Sequence, residues 1–89
     1  MASGTVTIQN RLGFHVRPST RFMELAQQFE SRVFVCANGQ RVEATSPMGL
    51  LTLGAVQGDE ITVETEGSDA EEACRALVDL VEDSFGGIE

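Results

Sequence analysis

An α+β domain is the fold this sequence predicts: four mainly antiparallel strands with helices on one side. Three observations point there. Short β-branched runs with two-residue alternation are interleaved with two long stretches of helical apolar spacing. An Asn38-Gly39 pair joins two strand-like runs, the strongest short hairpin signal. The resulting order, β-α-β-β-α-β-α, puts helical connections between antiparallel strands in a two-layer arrangement. At 89 residues the chain has room for one domain, residues 1–89.

Gly4 to Gln9 reads as the first strand, with Val6 and Ile8 on one face and the threonines on the other. Asn10 to Gly13 reads as a loop. Val16 to Phe29 reads as a helix, because Phe22, Leu25, Ala26 and Phe29 make one apolar stripe. Pro18 is compatible with the first turn, where its missing N–H costs nothing. His15 is then the N-cap or its neighbour. Arg32 to Ala37 and Gln40 to Ala44 flank the hairpin. Phe34 and Cys36 fall on one face of the first of these strands, where ordinary sheet packing is expected and weak self-association is the alternative.

Ser46 and Pro47 fit N-cap and N1 of a short helix over Pro47 to Leu53 that ends at Gly54. Glu60 to Glu66 alternates as a half-buried strand, with Ile61 and Val63 inward. Ser68 and Glu71 have capping-box spacing and open a last helix, about Asp69 to Phe85. Its buried stripe is Ala70, Ala73, Cys74, Leu77, Leu80 and Val81, and Gly86-Gly87 ends it.

The formal charge of −8 is unevenly spread. Residues 1–58 hold five arginines and three acids, a balance of +2, whereas residues 59–89 hold one arginine and eleven acids. An acidic, lysine-free chain is a poor partner for nucleic acid. No apolar run is long enough to insert in a membrane, and no signal architecture opens the chain. Two cysteines, Cys36 and Cys74, are too few for a disulfide scaffold and lack metal-ligand spacing. A cytoplasmic location with reduced thiols is expected, with no metal and no cofactor.

The chemistry concentrates at the only histidine. His15 stands at a helix start, where main-chain N–H groups lack intrahelical partners and carry partial positive charge. Such a terminus receives anions. Arg17 adds a planar fork suited to phosphate oxygens. A neutral imidazole nitrogen can attack a phosphoryl group, and the Val16 and Arg17 amides form the cradle around it. The five arginines of residues 1–58 are expected to surround this histidine. With no Walker-type loop and no metal cluster, the chain has parts to hold a phosphoryl group but not to take one from a nucleotide unaided. That is the profile of a carrier rather than an enzyme.

The run from Asn10 to Ser19, with its Gly13-x-His15-x-Arg17-Pro18 core, resembles the phosphorylation site of the HPr family. These are the histidine-containing phosphocarriers of the bacterial phosphoenolpyruvate-dependent phosphotransferase system. The resemblance extends nearly end to end, through the Asn38-Gly39 hairpin, Ser46 to Gly49, Leu53-Gly54 and the last helix. It implies an open-faced β-sandwich, a four-stranded antiparallel sheet with three helices on one face. It implies transfer from Enzyme I to Nδ1 of His15 and onward to Enzyme IIA domains, with Arg17 supporting the phosphoryl oxygens. It also implies regulation at Ser46 by HPr kinase/phosphorylase, although Thr45 and Pro47 replace the usual basic and apolar residues. Val16 stands where alanine is usual.

The partner surface is expected at the start of the first helix and on the short helix: Thr20, Arg21, Met48, Leu51 and Thr52. Core packing is the competing reading for Met48. A monomer is expected. The alternatives are a carrier of the nitrogen-regulatory branch, a non-catalytic α+β regulatory module in which His15 merely caps a helix, and an acylphosphatase-like hydrolase. The last lacks a convincing phosphate-loop arginine and supporting asparagine.

Overall fold

The computed structural model describes residues 1–88. Its elements are β1 (Ala2–Thr7), α1 (Val16–Ala26), β2 (Arg32–Ala37), β3 (Gln40–Glu43), α2 (Pro47–Leu51), β4 (Glu60–Glu66) and α3 (Ala70–Glu82). The sheet order is β1-β4-β2-β3, and every pairing is antiparallel. This is the open-faced sandwich, with helices covering one face of the sheet.

Strand alternation sends Val6, Val33, Val35, Ile61 and Val63 into the core, where they meet Phe22 of α1, Leu50 of α2, and Leu77 and Val81 of α3. The hairpin turns at Asn38 (φ 51°) and Gly39 (φ 77°), the two positive values that a tight two-residue turn requires.

The opposite face carries Arg32, Phe34, Cys36, Arg41, Glu43, Glu64 and Glu66, placed together by the register of β2 with β3 and β4. No helix covers Phe34. It is nonetheless buried, because the Arg41 guanidinium lies 3.9 Å from its ring centroid and that of Arg32 5.0 Å. Arg32 pairs with Glu43 and Glu66, and Arg41 with Glu64. Two of the five N-terminal arginines are therefore committed to the open face and do not surround His15. Period-two alternation sets this, and a count of charge along the chain cannot see it. Burial, then the Glu64 carboxylate, pushes the Cys36 thiol up, so it is a poor thiolate.

Several boundaries differ from expectation. β1 begins at Ala2 rather than Gly4, because Ala2 and Ser3 pair with Thr65 and Glu64. It stops at Thr7 because the Ile8 main chain bonds to the Gly58-Asp59 turn. α2 stops at Leu51, after which Leu53 and Gly54 bond three residues back.

α1 ends at Ala26 rather than Phe29, and the amides of Gln28 and Phe29 bond three residues back, in a tightened last turn. The Asp69 carboxylate draws the chain away there. It accepts the main-chain N–H groups of Glu30 (2.9 Å) and Ser31 (3.0 Å) and the Ser31 hydroxyl. For the same reason the capping box is not formed. Asp69, not Ser68, occupies the N-cap of α3, and its carboxylate is spent on the neighbouring turn.

These bonds, the Ser31 hydroxyl first, hold the Asp69 carboxyl below the usual carboxylate range. A lowered folded-state pKa stabilises the fold above the unfolded pKa of about 4 and loses that contribution as pH falls through the folded value. Asp69→Asn should therefore flatten the acid limb of a stability–pH profile measured by denaturant titration. An unaltered limb would contradict the assignment.

α3 ends at Glu82, three residues short of expectation. Ser84, Phe85, Gly86 and Gly87 then turn with positive φ, at 52°, 56°, 83° and 96°. A left-handed phenylalanine costs about 1 kcal/mol or more. The offset is burial: Phe85 is 1% exposed and its ring centroid is 5.2 Å from that of Phe14.

Candidate functional site

The loop before α1 is built around Gly13. Its φ of +66° is open to glycine, and a Cβ there would lie 2.1 Å from the Ala55 carbonyl oxygen and 2.6 Å from the Val56 Cα. The next residue is held twice. The Phe14 N–H donates to Ala55 O at 3.1 Å, and the Phe14 ring is buried edge-on against Phe22 at 5.5 Å and beside Phe85. The chain therefore reaches His15 along one defined path.

His15 is the N-cap of α1, with extended backbone (φ −91°, ψ −168°), and its side chain makes no cap hydrogen bond. Its carbonyl accepts the Ser19 N–H at 3.0 Å, the first bond of the helix. Val16 and Arg17 follow with amides that have no carbonyl one turn back, and Pro18 has no N–H to leave unmade. The imidazole is half-buried, while Val16 and Arg17 are exposed. Among the described residues no carboxylate pairs with Arg17. The start of α1 thus groups the Val16 and Arg17 amides, an exposed guanidinium and an imidazole within one turn, residue types that can hold phosphoryl oxygens with nitrogen as the nucleophile.

The residues expected at the partner surface lie on or directly after two helices that pack together. α1, which carries Thr20 and Arg21, packs on α2, which carries Met48 and Leu51 and is followed by Thr52. Met48 is 69% exposed, so the core-packing reading falls; Leu50 fills the core instead. The Arg21 guanidinium lies against Gly86, 3.6 Å from where a Cβ would stand. The Thr52 hydroxyl is already spent, donating to Gly49 O at 2.6 Å. Sequence reasoning missed Leu12 and Val56, which are 54% and 51% exposed beside the Gly13 loop, and the 61% exposure of Val16. No periodicity marks Leu12 or Val56, because both lie in loops.

Ser46 occupies the N-cap of α2 with extended backbone, as expected, but its hydroxyl makes no cap bond. The expected capping contribution of about 1 kcal/mol is absent. Ser46→Ala should change stability by less than about 0.5 kcal/mol in chemical denaturation. A loss of a full cap's worth would contradict this geometry.

Comparison with known proteins extends these observations. Residues 2–83 match the family model described as the PTS HPr component phosphorylation site. The chain is 45% identical over 86 residues to the phosphocarrier protein HPr of Neisseria meningitidis, covering 97% of each chain. HPr from Thermoanaerobacter tengcongensis superposes with a TM-score of 0.92 at 40% identity, covering 100% of both chains. An HPr dimer structure from the same organism gives 0.75 at 42% identity, covering 97% of this chain and 99% of that one.

Proposed function

Since the chain belongs to the HPr family and is a phosphocarrier of the phosphotransferase system rather than an enzyme, we propose that His15 is the residue that carries the phosphoryl group. The carrying observation is the placement of His15 as the N-cap of α1, with Arg17 exposed in the first turn of that helix. Phospho-Enzyme I donates, and Nδ1 of His15 attacks the phosphorus as the donor's bond to it breaks. The Val16 and Arg17 amides and the Arg17 guanidinium take up the charge of the phosphoryl oxygens. An Enzyme IIA histidine then attacks in turn, so that one P–N bond breaks as another forms. The carrier leaves the group exposed because a second protein must reach it.

Docking uses exposed apolar residues beside this site, Val16 and Met48 with Leu12 and Val56, edged by Arg21. Such a mixed apolar and arginine surface suits transient encounters. Ser46 is exposed at the start of α2, on the layer that packs against α1, so a phosphate added there by HPr kinase/phosphorylase would alter the charge of the docking surface without unfolding the chain. The protein acts as a cytoplasmic monomer. Its two thiols are free, and among the described residues no helix is long and apolar enough to cross a membrane.

The test is discharge. The phosphorylated chain, isolated and mixed with Enzyme IIA domains, should lose its label to them within the mixing time. Retention of the label by every IIA domain tried would overturn the carrier role assigned to His15. An acid-stable adduct made with ATP and HPr kinase, lost in Ser46→Ala, would place regulation at Ser46; no labelling would remove it.

A further inference from the structure

The loop before His15 contains a buried polar side chain that the transfer chemistry does not use. Asn10 is 3% exposed. Its side-chain amide donates to the Gly13 carbonyl at 2.8 Å, and its own carbonyl accepts the Gly13 N–H at 3.3 Å. The Gly13 carbonyl has a second donor, the His15 N–H at 3.0 Å. One oxygen therefore ties Asn10 to the main chain of His15. A carbonyl can only accept, so the NH₂ of Asn10 must face it, which leaves Oδ1 turned inward with no hydrogen-bond partner.

An orphaned buried acceptor costs stability. An apolar residue there would avoid that cost but would take the side-chain donor away from the Gly13 carbonyl. The peptide joining Gly13 to Phe14 lies one residue before His15. Ala55 fixes its N–H, and Asn10 fixes its carbonyl. Together they set the plane of that peptide, and its carbonyl in turn receives the His15 N–H at the N-cap.

We infer that Asn10 is a positioning residue for phosphoryl transfer: it orients the Gly13 carbonyl, which in turn fixes His15 over the start of α1. This rests on the reading of His15 as the phosphoryl-carrying residue. Small displacements of a reacting group are expensive in rate, although Asn10 touches neither phosphate nor partner.

The test pairs kinetics with hydrogen exchange in the full chain, using Asn10→Ala and the milder Asn10→Ser, which keeps a short donor. With phospho-Enzyme I as donor, Asn10→Ala should lower kcat about tenfold with KM within about twofold, since the docking residues are untouched. Its His15 amide should exchange about tenfold faster than in the parent while the β4 amides exchange as before. Asn10→Ser should lie between, and it carries the comparison if the alanine variant does not fold. An unchanged kcat, an unchanged His15 exchange rate, or a kcat loss that only tracks faster β4 exchange would overturn the inference. If the parent chain accepts no phosphoryl group, the reading of His15 fails instead, and the exchange comparison alone decides the role of Asn10.

Discussion

Gly13→Ala should destabilise the protein by about 3 kcal/mol or more and disable phosphoryl acceptance even where the chain remains folded. Two penalties act together. The backbone at φ +66° disfavours any L side chain, and the new methyl would stand 2.1 Å from the Ala55 carbonyl oxygen. Main chain lies on the other side of the clash, so no rotamer relieves it. Either the Gly13 loop lifts or the segment around Ala55 moves away, and in both cases the Phe14 N–H loses Ala55 O. Phe14 anchors the loop in the core against Phe22 and Phe85, so the disturbance reaches both ends of the helical layer. Thermal denaturation should show a fall of more than about 10 °C, given about 4–8 °C per kcal/mol for a domain of this size. A transition within a few degrees of the parent would show that the loop gives way cheaply.

Arg17→Ala should produce the opposite profile. The side chain is exposed and pairs with no carboxylate among the described residues, so its loss should change stability by less than about 0.5 kcal/mol. The rate of phosphoryl acceptance should fall about a hundredfold, the scale of losing one donor aimed at developing charge. Arg17→Lys should recover only part of that rate, because an ammonium keeps the charge but not the fork that spans two oxygens. Stopped transfer with phospho-Enzyme I and a parallel denaturant titration separate the two quantities. Unchanged rates in the alanine variant would remove Arg17 from the cradle.

Most of the architecture was legible because it rests on short-range patterns. The Asn38-Gly39 hairpin, the alternation of Ile61 and Val63, and the stripe from Ala70 to Val81, except for a half-buried Leu80, each appear in the structure where the pattern places them. The placement of the candidate site at the start of α1 was legible for a related reason: His15, Arg17 and Pro18 lie within one turn, so it needs no tertiary information. What escaped depends on long-range contacts. Asp69 fits a helix start, yet its carboxylate serves Glu30 and Ser31, 39 and 38 residues away. Phe85 fits the end of a helix, yet burial beside Phe14 carries it through a left-handed turn. Arg32 and Arg41 fit a basic cluster, yet strand register sends them to the open face over Phe34. Asn10 fits an ordinary loop residue, and only the shared Gly13 carbonyl ties it to His15.

The most direct measurement is site-resolved phosphorylation. The chain is incubated with phosphoenolpyruvate, Mg²⁺ and Enzyme I, alongside His15→Ala. The parent should acquire one acid-labile, base-stable phosphoryl group, and His15→Ala should acquire none. Labelling of His15→Ala to the same extent as the parent would contradict the assignment of the phosphoryl group to this histidine.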